Sequence, residues 1–265
     1  MHIIEWDDFL AQKQVTDTGL AVTIGVFDGV HKGHQALIGR ITRRNAGETP
    51  LSTVITFRQN PKNVLNPDTF QGDIFSLKQK LETFESLSVY QTILIDFSGN
   101  FSKLTGREFV EILKNHCRIR YLAVGSNFRC GYRLDTDAHA IADLMGAAVC
   151  TELVEPVFEG QSTVSSSRVR EAVLAGDIPL AAALLGRNVS IDLSGISAAS
   201  AGAYRSFDMV KEKRIIPCSG RYQVLMRKTA SPEREKREIF IEDGKIFIPA
   251  EAGMQNFNTE YVEFI

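Results

Sequence analysis

The stretch Thr23-Ile24-Gly25-Val26-Phe27-Asp28-Gly29-Val30-His31-Lys32-Gly33-His34 concentrates side chains and backbone suited to one kind of chemistry. An apolar run ends in a turn holding Gly25, Gly29 and Gly33, and a helical pattern starts around the last of these. Glycines at such a point let backbone approach a phosphate closely, and a helix N-terminus presents N–H groups to an anion. His31 and His34 are spaced to meet on one side of the turn or of the first helical residues. Imidazoles donate hydrogen bonds to phosphate oxygens and, when protonated, offset charge developing there. The blander alternatives are that either histidine caps the helix or packs. A metal pair lacks a further ligand cluster nearby.

Three more segments carry polar groups directly after, or just before, a structured run. Thr56-Phe57-Arg58-Gln59-Asn60-Pro61 follows one apolar strand pattern, and Val124-Gly125-Ser126-Asn127-Phe128-Arg129-Cys130-Gly131 follows another, with Arg133 just beyond. Asn127 offers both a donor and an acceptor. Val164-Ser165-Ser166-Ser167-Arg168-Val169-Arg170 opens a helical pattern. Its hydroxyls and fresh N–H groups suit an anion, and Arg170 adds a planar cationic fork. A serine run there is also an ordinary helix cap, with Glu171 as a partner for a capping box.

These segments need a scaffold that brings strand ends together. Short β-branched runs at Ala21–Val26, Leu51–Phe57, Thr92–Ile95, Tyr121–Val124 and Ala147–Leu153 alternate with helical patterns at Gly33–Arg44, Leu77–Ser86, Gly106–Asn115 and Asp137–Met145. Such alternation predicts an α/β domain: a doubly wound parallel sheet with helices on both faces, whose ligands collect outside the carboxyl ends of the strands. A helix pair is expected over Ser165–Leu185, with Ser165 or Ser166 as N-cap, Gly176 as a stop, and Asp177 capping a second helix that has Pro179 in its first turn. After Arg187 the texture changes. Asn188–Tyr204 is rich in Ser, Ala and Gly, and short strands are expected at Arg221–Met226, Glu238–Ile241, Lys245–Ile248 and Tyr261–Ile265, with Asp243-Gly244 as a hairpin turn. Lys228–Arg237 reads as a solvated loop. The expected domains are therefore residues 1–187 and a small β-barrel-like domain over 188–265.

The run Gly25–His34 resembles the H-x-G-H nucleotidyltransferase signature, and in its longer form the FMN adenylyltransferase module of bacterial bifunctional riboflavin kinase/FAD synthetases. Thr56–Pro61 is similar to that family's T-F-x-P-H-P segment, with Gln59 and Asn60 in place of Pro and His. Val124–Gly131 is similar to V-G-x-[DN]-F-x-F-G, with Cys130 where an aromatic is usual, and Val164–Arg170 to I-S-S-T-x-x-R. The resemblance spans about Gly19 to Arg187. It implies a Rossmann-like nucleotidyltransferase fold and transfer of AMP from ATP to FMN with Mg²⁺, giving FAD and pyrophosphate. It assigns catalysis to His31, His34 and Arg170. It assigns ATP binding to Gly25, Phe27, Asp28, Gly29, His31, His34, Ser165, Ser166, Ser167 and Arg170, and FMN binding to Asn60, Pro61, Asn127 and Phe128. No protein metal cage is implied. The family's C-terminal kinase barrel carries G-F-P-T-A-N, where this chain reads Ser206-Phe207-Asp208-Met209-Val210. The expectation is a degenerate riboflavin-kinase-like domain without kinase activity, in which Glu238 is the candidate for the kinase carboxylate. The rival readings are a flavin- or nucleotide-binding sensor and an adenylyltransferase for another phosphorylated acceptor.

Composition narrows the class. With 265 residues, 44% hydrophobic and 23% charged, the chain can bury a sizeable core without disulfides. A formal net charge of -2 gives no overall basic field for nucleic acid or an anionic membrane. Cys117, Cys130, Cys150 and Cys218 form no C-x-x-C pair and read as isolated reduced thiols. Glu5, Asp7 and Asp8 near the start argue against a signal peptide, and no apolar run approaches the roughly 20 residues that span a bilayer. A cytoplasmic location is expected, with small-molecule partners; a homo-oligomer is compatible with the sequence.

Overall fold

Strand–helix alternation demands crossovers, and crossovers demand strands that all run one way. The computed structural model, which describes residues 1–11, 19–43, 50–227, 234–250 and 261–265, meets that demand. The chain divides into two compact units, one of Met1–Asp68 with Leu81–Thr163, the other of Thr69–Lys80 with Val164–Ile265.

The first unit begins with β1 (His2–Glu5), α1 (Trp6–Ala11), β2 (Leu20–Ile24), α2 (Lys32–Thr42), β3 (Leu51–Phe57) and α3 (Pro61–Leu65). It continues through α4 (Leu77–Ser86, its first residues counted with the other unit), β4 (Gln91–Ile95), α5 (Gly106–His116) and β5 (Ile119–Gly125). Two-residue strands β6 (Arg129–Cys130) and β7 (Thr136–Asp137), then α6 (Ala138–Met145), β8 (Cys150–Val154) and the hairpin β9 (Phe158–Glu159) and β10 (Ser162–Thr163) complete it. The six-stranded sheet has the order β1-β4-β3-β2-β5-β8 and is parallel throughout. One face buries Leu20, Val22, Ile55, Ile93 and Leu122 against Phe9 of α1, Val110 and Leu113 of α5 and Ile141 of α6. Alternation sends Ala21, Thr23, Val54 and Leu94 to the other face, where α2 lies and buries Ile38 and Ile41. Each fully buried aromatic or branched side chain contributes on the order of 1.5–3 kcal/mol.

Several features of this unit escaped the sequence reading: β1 with α1, the short α3, and the two-residue strand pairs β6–β7 and β9–β10. Trp6 of α1 stacks on Phe9 at 5.2 Å, an anchoring that depends on residues far along the chain such as Phe101 and Phe109. The predicted end of α2 at Arg44 lies outside the described residues.

The second unit starts with α7 (Ser166–Leu174) and α8 (Ile178–Leu185). Ser165 caps α7 by accepting from the Arg168 N–H at 3.3 Å. Gly176 turns the chain at φ 75°, and Asp177 caps α8 through the Leu180 N–H at 3.0 Å, with Pro179 in the first turn. A curled antiparallel sheet follows, from β11 (Ser190–Asp192), β12 (Ala199–Ala201), β13 (Tyr204–Asp208), β14 (Gly220–Arg227), β15 (Arg234–Glu242), β16 (Lys245–Pro249) and β17 (Tyr261–Phe264), in the order β11-β17-β14-β15-β16-β13-β12. Val224, Met226, Ile239, Ile241, Ile246 and Ile248 form its buried face. Asp243 at φ 48° and Gly244 at φ 72° make the expected left-handed two-residue turn between β15 and β16.

The predicted loop Lys228–Arg237 needs correction where it is described. Residues 234–237 lie in β15, and residues 228–233 lie outside the described set. The charges of this strand are matched by neighbours: Arg237 pairs with Glu235, Glu238 with Arg221, and Arg234 with Glu263. Asn188–Tyr204, read only as a change of texture, supplies β11 and β12.

Segment Thr69–Lys80 joins this unit through buried polar bonds. The Ser76 hydroxyl donates to Asp192 at 2.5 Å, and the Gln79 amide donates to the Ser190 carbonyl at 2.9 Å. Arg214 donates to the Phe75 carbonyl, and the Asp73 N–H donates to the Lys213 carbonyl at 2.9 Å. Asp192, only 6% exposed, also accepts from the Ser194 N–H and hydroxyl, so its charge is met by hydrogen-bond donors.

Candidate active site

Strand order fixes where a ligand can sit in the first unit. From β2 the chain crosses through α2 to β3 on one side; from β4 it crosses through α5 to β5 on the other. The carboxyl ends of β2 and β5 therefore flank the point where the winding reverses, which is where open α/β sheets bind ligands. The motifs Gly25–His34 and Gly125–Phe128 lie at those two ends.

The turn after β2 is built from left-handed backbone. Phe27 at φ 54°, Gly29 at φ 74° and Val30 at φ 38° reverse the chain within a few residues. Two of the three are not glycine, a strain of about 1–3 kcal/mol each that persists only where surroundings over-determine it. The surroundings are dense: Phe27 and Val30 are fully buried and Asp28 is 6% exposed. The Gly25 N–H donates to the Ile55 carbonyl at 3.1 Å, the Thr56 hydroxyl to Val26 at 3.1 Å, and the Gln35 amide to Val30 at 2.9 Å.

The two histidines come together as their spacing predicts. Their rings stack with centroids 3.6 Å apart and planes 18° from parallel. His31 is also the N-cap of α2, its Nδ1 accepting from the His34 N–H at 3.4 Å. An accepting Nδ1 means that the neutral ring carries its proton on Nε2, which makes that nitrogen the donor. The imidazole that caps the helix thus also carries a ring N–H that can act as a donor. The Phe27 ring packs on His34 at 5.0 Å and 70°, and Phe84 of α4 packs on Phe27 at 5.6 Å and 90°. Phe27 has no exposed surface, so its side chain does not face a nucleotide. Lys32, between the histidines, bridges to Glu159 of β9 at 2.6 Å.

At the end of β5, Asn127 is exposed and Phe128 is half-buried against the core, its N–H bonded to the Gly125 carbonyl at 2.9 Å. The Cys130 thiol is pushed up to about 11 by burial and by Asp135, which removes it as a nucleophile near neutral pH. Gly131 at φ 82° packs against the Gly106 backbone, leaving no room for a side chain. After β3, Asn60 is buried and caps α3 by accepting from the Lys62 N–H at 3.1 Å, and Pro61 occupies the first turn. That capping role accounts for an Asn at position 60.

Ser165, Ser166, Ser167 and Arg170 belong to the second unit. Arg170 is 7% exposed; its Nε donates to the Gly72 carbonyl at 3.1 Å and its Nη1 to the Ser166 carbonyl at 3.4 Å. Glu238 lies on the exposed face of β15, bonded to Arg221 at 2.9 Å and Gln223 at 3.3 Å. Among the described residues, no group of three or more His, Cys, Asp or Glu is placed to hold a metal ion, and no helix is long and apolar enough to cross a membrane. Sequence reasoning missed Phe84, Glu159 and the Gly72 carbonyl, because their partners lie far away in the chain.

A family model described as FAD synthetase matches residues 13–168. The chain belongs to the FAD synthetase family. Among its relatives, the bifunctional riboflavin kinase/FMN adenylyltransferase of Bacillus subtilis is 31% identical over 190 residues, covering 71% of this chain and 58% of that protein. The Escherichia coli K12 protein of the same description is 29% identical over 181 residues, covering 68% and 58%. This FAD synthetase family chain thus spans less than two thirds of the length of those relatives. A crystal structure described as a macrolide-efflux protein from Streptococcus pneumoniae aligns with a TM-score of 0.80 at 21% identity, over 100% of this chain and 89% of that one, a likeness of fold.

Proposed function

We propose that the protein transfers AMP from ATP to FMN, releasing pyrophosphate and forming FAD. The observation that carries this reading is the stacked His31/His34 pair at the head of α2, beside the switch point of a parallel sheet, in a chain of the FAD synthetase family. The FMN phosphate attacks the α-phosphorus of ATP in line, and the bond to the β-phosphate bridging oxygen breaks. A phosphate monoester is already nucleophilic, so the protein supplies position and charge rather than a base. His31 and His34 donate to the α-phosphate as charge builds there. Gly25, Phe27, Asp28 and Gly29 form the turn beside which the nucleotide binds. Ser165, Ser166, Ser167 and Arg170 hold the departing pyrophosphate, while Asn60, Pro61, Asn127 and Phe128 meet the flavin nucleotide. Mg²⁺ would be carried by phosphate oxygens of the nucleotide.

The seven-stranded sheet of the second unit takes no part in phosphorylating riboflavin. Support comes from Glu238, which is engaged by Arg221, and from Ser206-Phe207-Asp208, which run as regular β13 with Phe207 buried. The domain division at 187/188 and a cytoplasmic setting belong to the same reading. Incubating the pure protein with ATP, Mg²⁺ and either FMN or riboflavin, with products separated by chromatography, tests it. FAD and pyrophosphate from FMN, and no FMN from riboflavin, are expected. No FAD despite bound FMN and ATP would favour a sensor or another phosphorylated acceptor.

A further inference from the structure

The histidine pair does not stand alone. Behind it runs a column of rings in the order Phe84, Phe27, His34, His31, with successive centroids 5.6, 5.0 and 3.6 Å apart. Both phenylalanines are fully buried, and His31 is 5% exposed. The first two contacts are edge-on and the last is stacked: Phe84 meets Phe27 at 90°, Phe27 meets His34 at 70°, and His34 lies within 18° of parallel to His31.

Each end of the column is fixed. Phe84 sits on α4, and His31 is held by the capping bond from the His34 N–H to its Nδ1. Phe27 is held by its left-handed backbone and by Gly25, where an added Cβ would lie 3.2 Å from two atoms of the Phe27 ring. By contrast, His34 projects from the first turn of a helix, where side-chain torsions are broad unless packing selects one. The Phe27 ring flanks it on one side and His31 on the other. Loss of the support behind Phe27 would let the plane of His34 shift.

We infer that Phe84 and Phe27 are positioning residues for adenylyl transfer: Phe84 braces the Phe27 ring, and that ring sets the plane of His34 and thereby the His31/His34 stack. The inference rests on the reading of the two histidines as the donors to the α-phosphate. Neither phenylalanine touches the nucleotide through its side chain. Their effect is carried by the angle at which the imidazoles point, and small errors of angle and distance cost rate far more than affinity.

The test replaces Phe84 by Leu, which keeps most of the apolar volume and loses the flat ring. Phe84→Met, with its adaptable side chain, serves if the first variant does not fold. Initial rates of FAD formation give kcat and KM, and NMR of histidine-labelled protein reads the cross-relaxation between the His31 and His34 ring protons. The expected result is a fall in kcat on the order of tenfold, with the KM values for ATP and FMN within about twofold, and loss of the ring–ring cross-peak. An unchanged kcat in the folded variant overturns the inference, whatever the NMR shows. So does a loss of kcat with the cross-peak intact, or an effect confined to KM. Should the wild type form no FAD, the adenylyl-transfer reading falls by itself. The cross-peak, which needs no substrate, then still decides whether Phe84 sets the stack.

Discussion

Two helices in this molecule begin with a motif suited to phosphate, and they are built in opposite ways. At α2 the cap is an imidazole, the preceding turn is left-handed at Phe27, Gly29 and Val30, and buried aromatic rings stand behind it. At α7 the cap is the small hydroxyl of Ser165, accepting from the Arg168 N–H, and the nearby cation Arg170 is pinned by the carbonyls of Gly72 and Ser166. The first start has its chemical group and its cap in one residue. The second distributes them over several residues, one of which depends on a segment almost 100 positions away. On the proposed reaction, the first start would stabilise the transition state and the second would grip the leaving pyrophosphate.

The largest expected effect comes from separating cap from chemistry at His31. His31→Ala removes both, and kcat for FAD formation should fall by about 10²–10³-fold, with KM for FMN within about threefold. His31→Asn restores a good cap without the imidazole. Its thermal midpoint should stay near that of the wild type while kcat remains as low as in the alanine variant. Recovery of activity in His31→Asn would mean that the imidazole serves only to start the helix.

A smaller effect is expected at Arg170, where the fork matters more than the charge. Lysine keeps the charge but cannot donate to two carbonyls in fixed geometry. Arg170→Lys should raise KM for ATP by about tenfold and lower stability by about 1–3 kcal/mol, as carbonyls lose their partner. Steady-state kinetics and urea unfolding measure the two effects. A KM equal to that of the wild type would make Arg170 a strut within its own unit rather than a phosphate ligand.

The contrast between the two helix starts also marks what could be read from the sequence. Signals confined to a few residues were legible: the histidine pair, the Ser165 and Asp177 caps, the Asp243-Gly244 turn and the parallel sense of the sheet all follow from local types and spacing. Contacts over long separations were not. Ser76 and Asp192 are 116 residues apart, and nothing near either one announces the other. Phe84 reads as an ordinary apolar position of α4 until Phe27 is seen against it. The charged residues 234–237 read as loop because lone charges favour solvent. In β15 Arg237 meets Glu235 along its own strand, and Arg234 meets Glu263 of β17, a contact that only the sheet creates. The same holds for Asn60, whose side chain is explained by α3, an element too short to leave a periodic trace.

The smallest expected effect tests whether the α7 cap is as separable as its construction implies. Ser165 accepts one N–H at 3.3 Å, and its neighbours Ser166 and Ser167 keep their own hydroxyls. Ser165→Ala should cost about 1 kcal/mol of stability, a drop of roughly 2–4 °C in the thermal midpoint for a protein of this size. Because Arg170 is anchored independently through Gly72, kcat/KM for ATP should change by about threefold or less. Differential scanning calorimetry beside steady-state kinetics separates the two readouts. A loss of activity as large as that of His31→Ala would show that the second helix start is as unified as the first, and the contrast drawn between them would collapse.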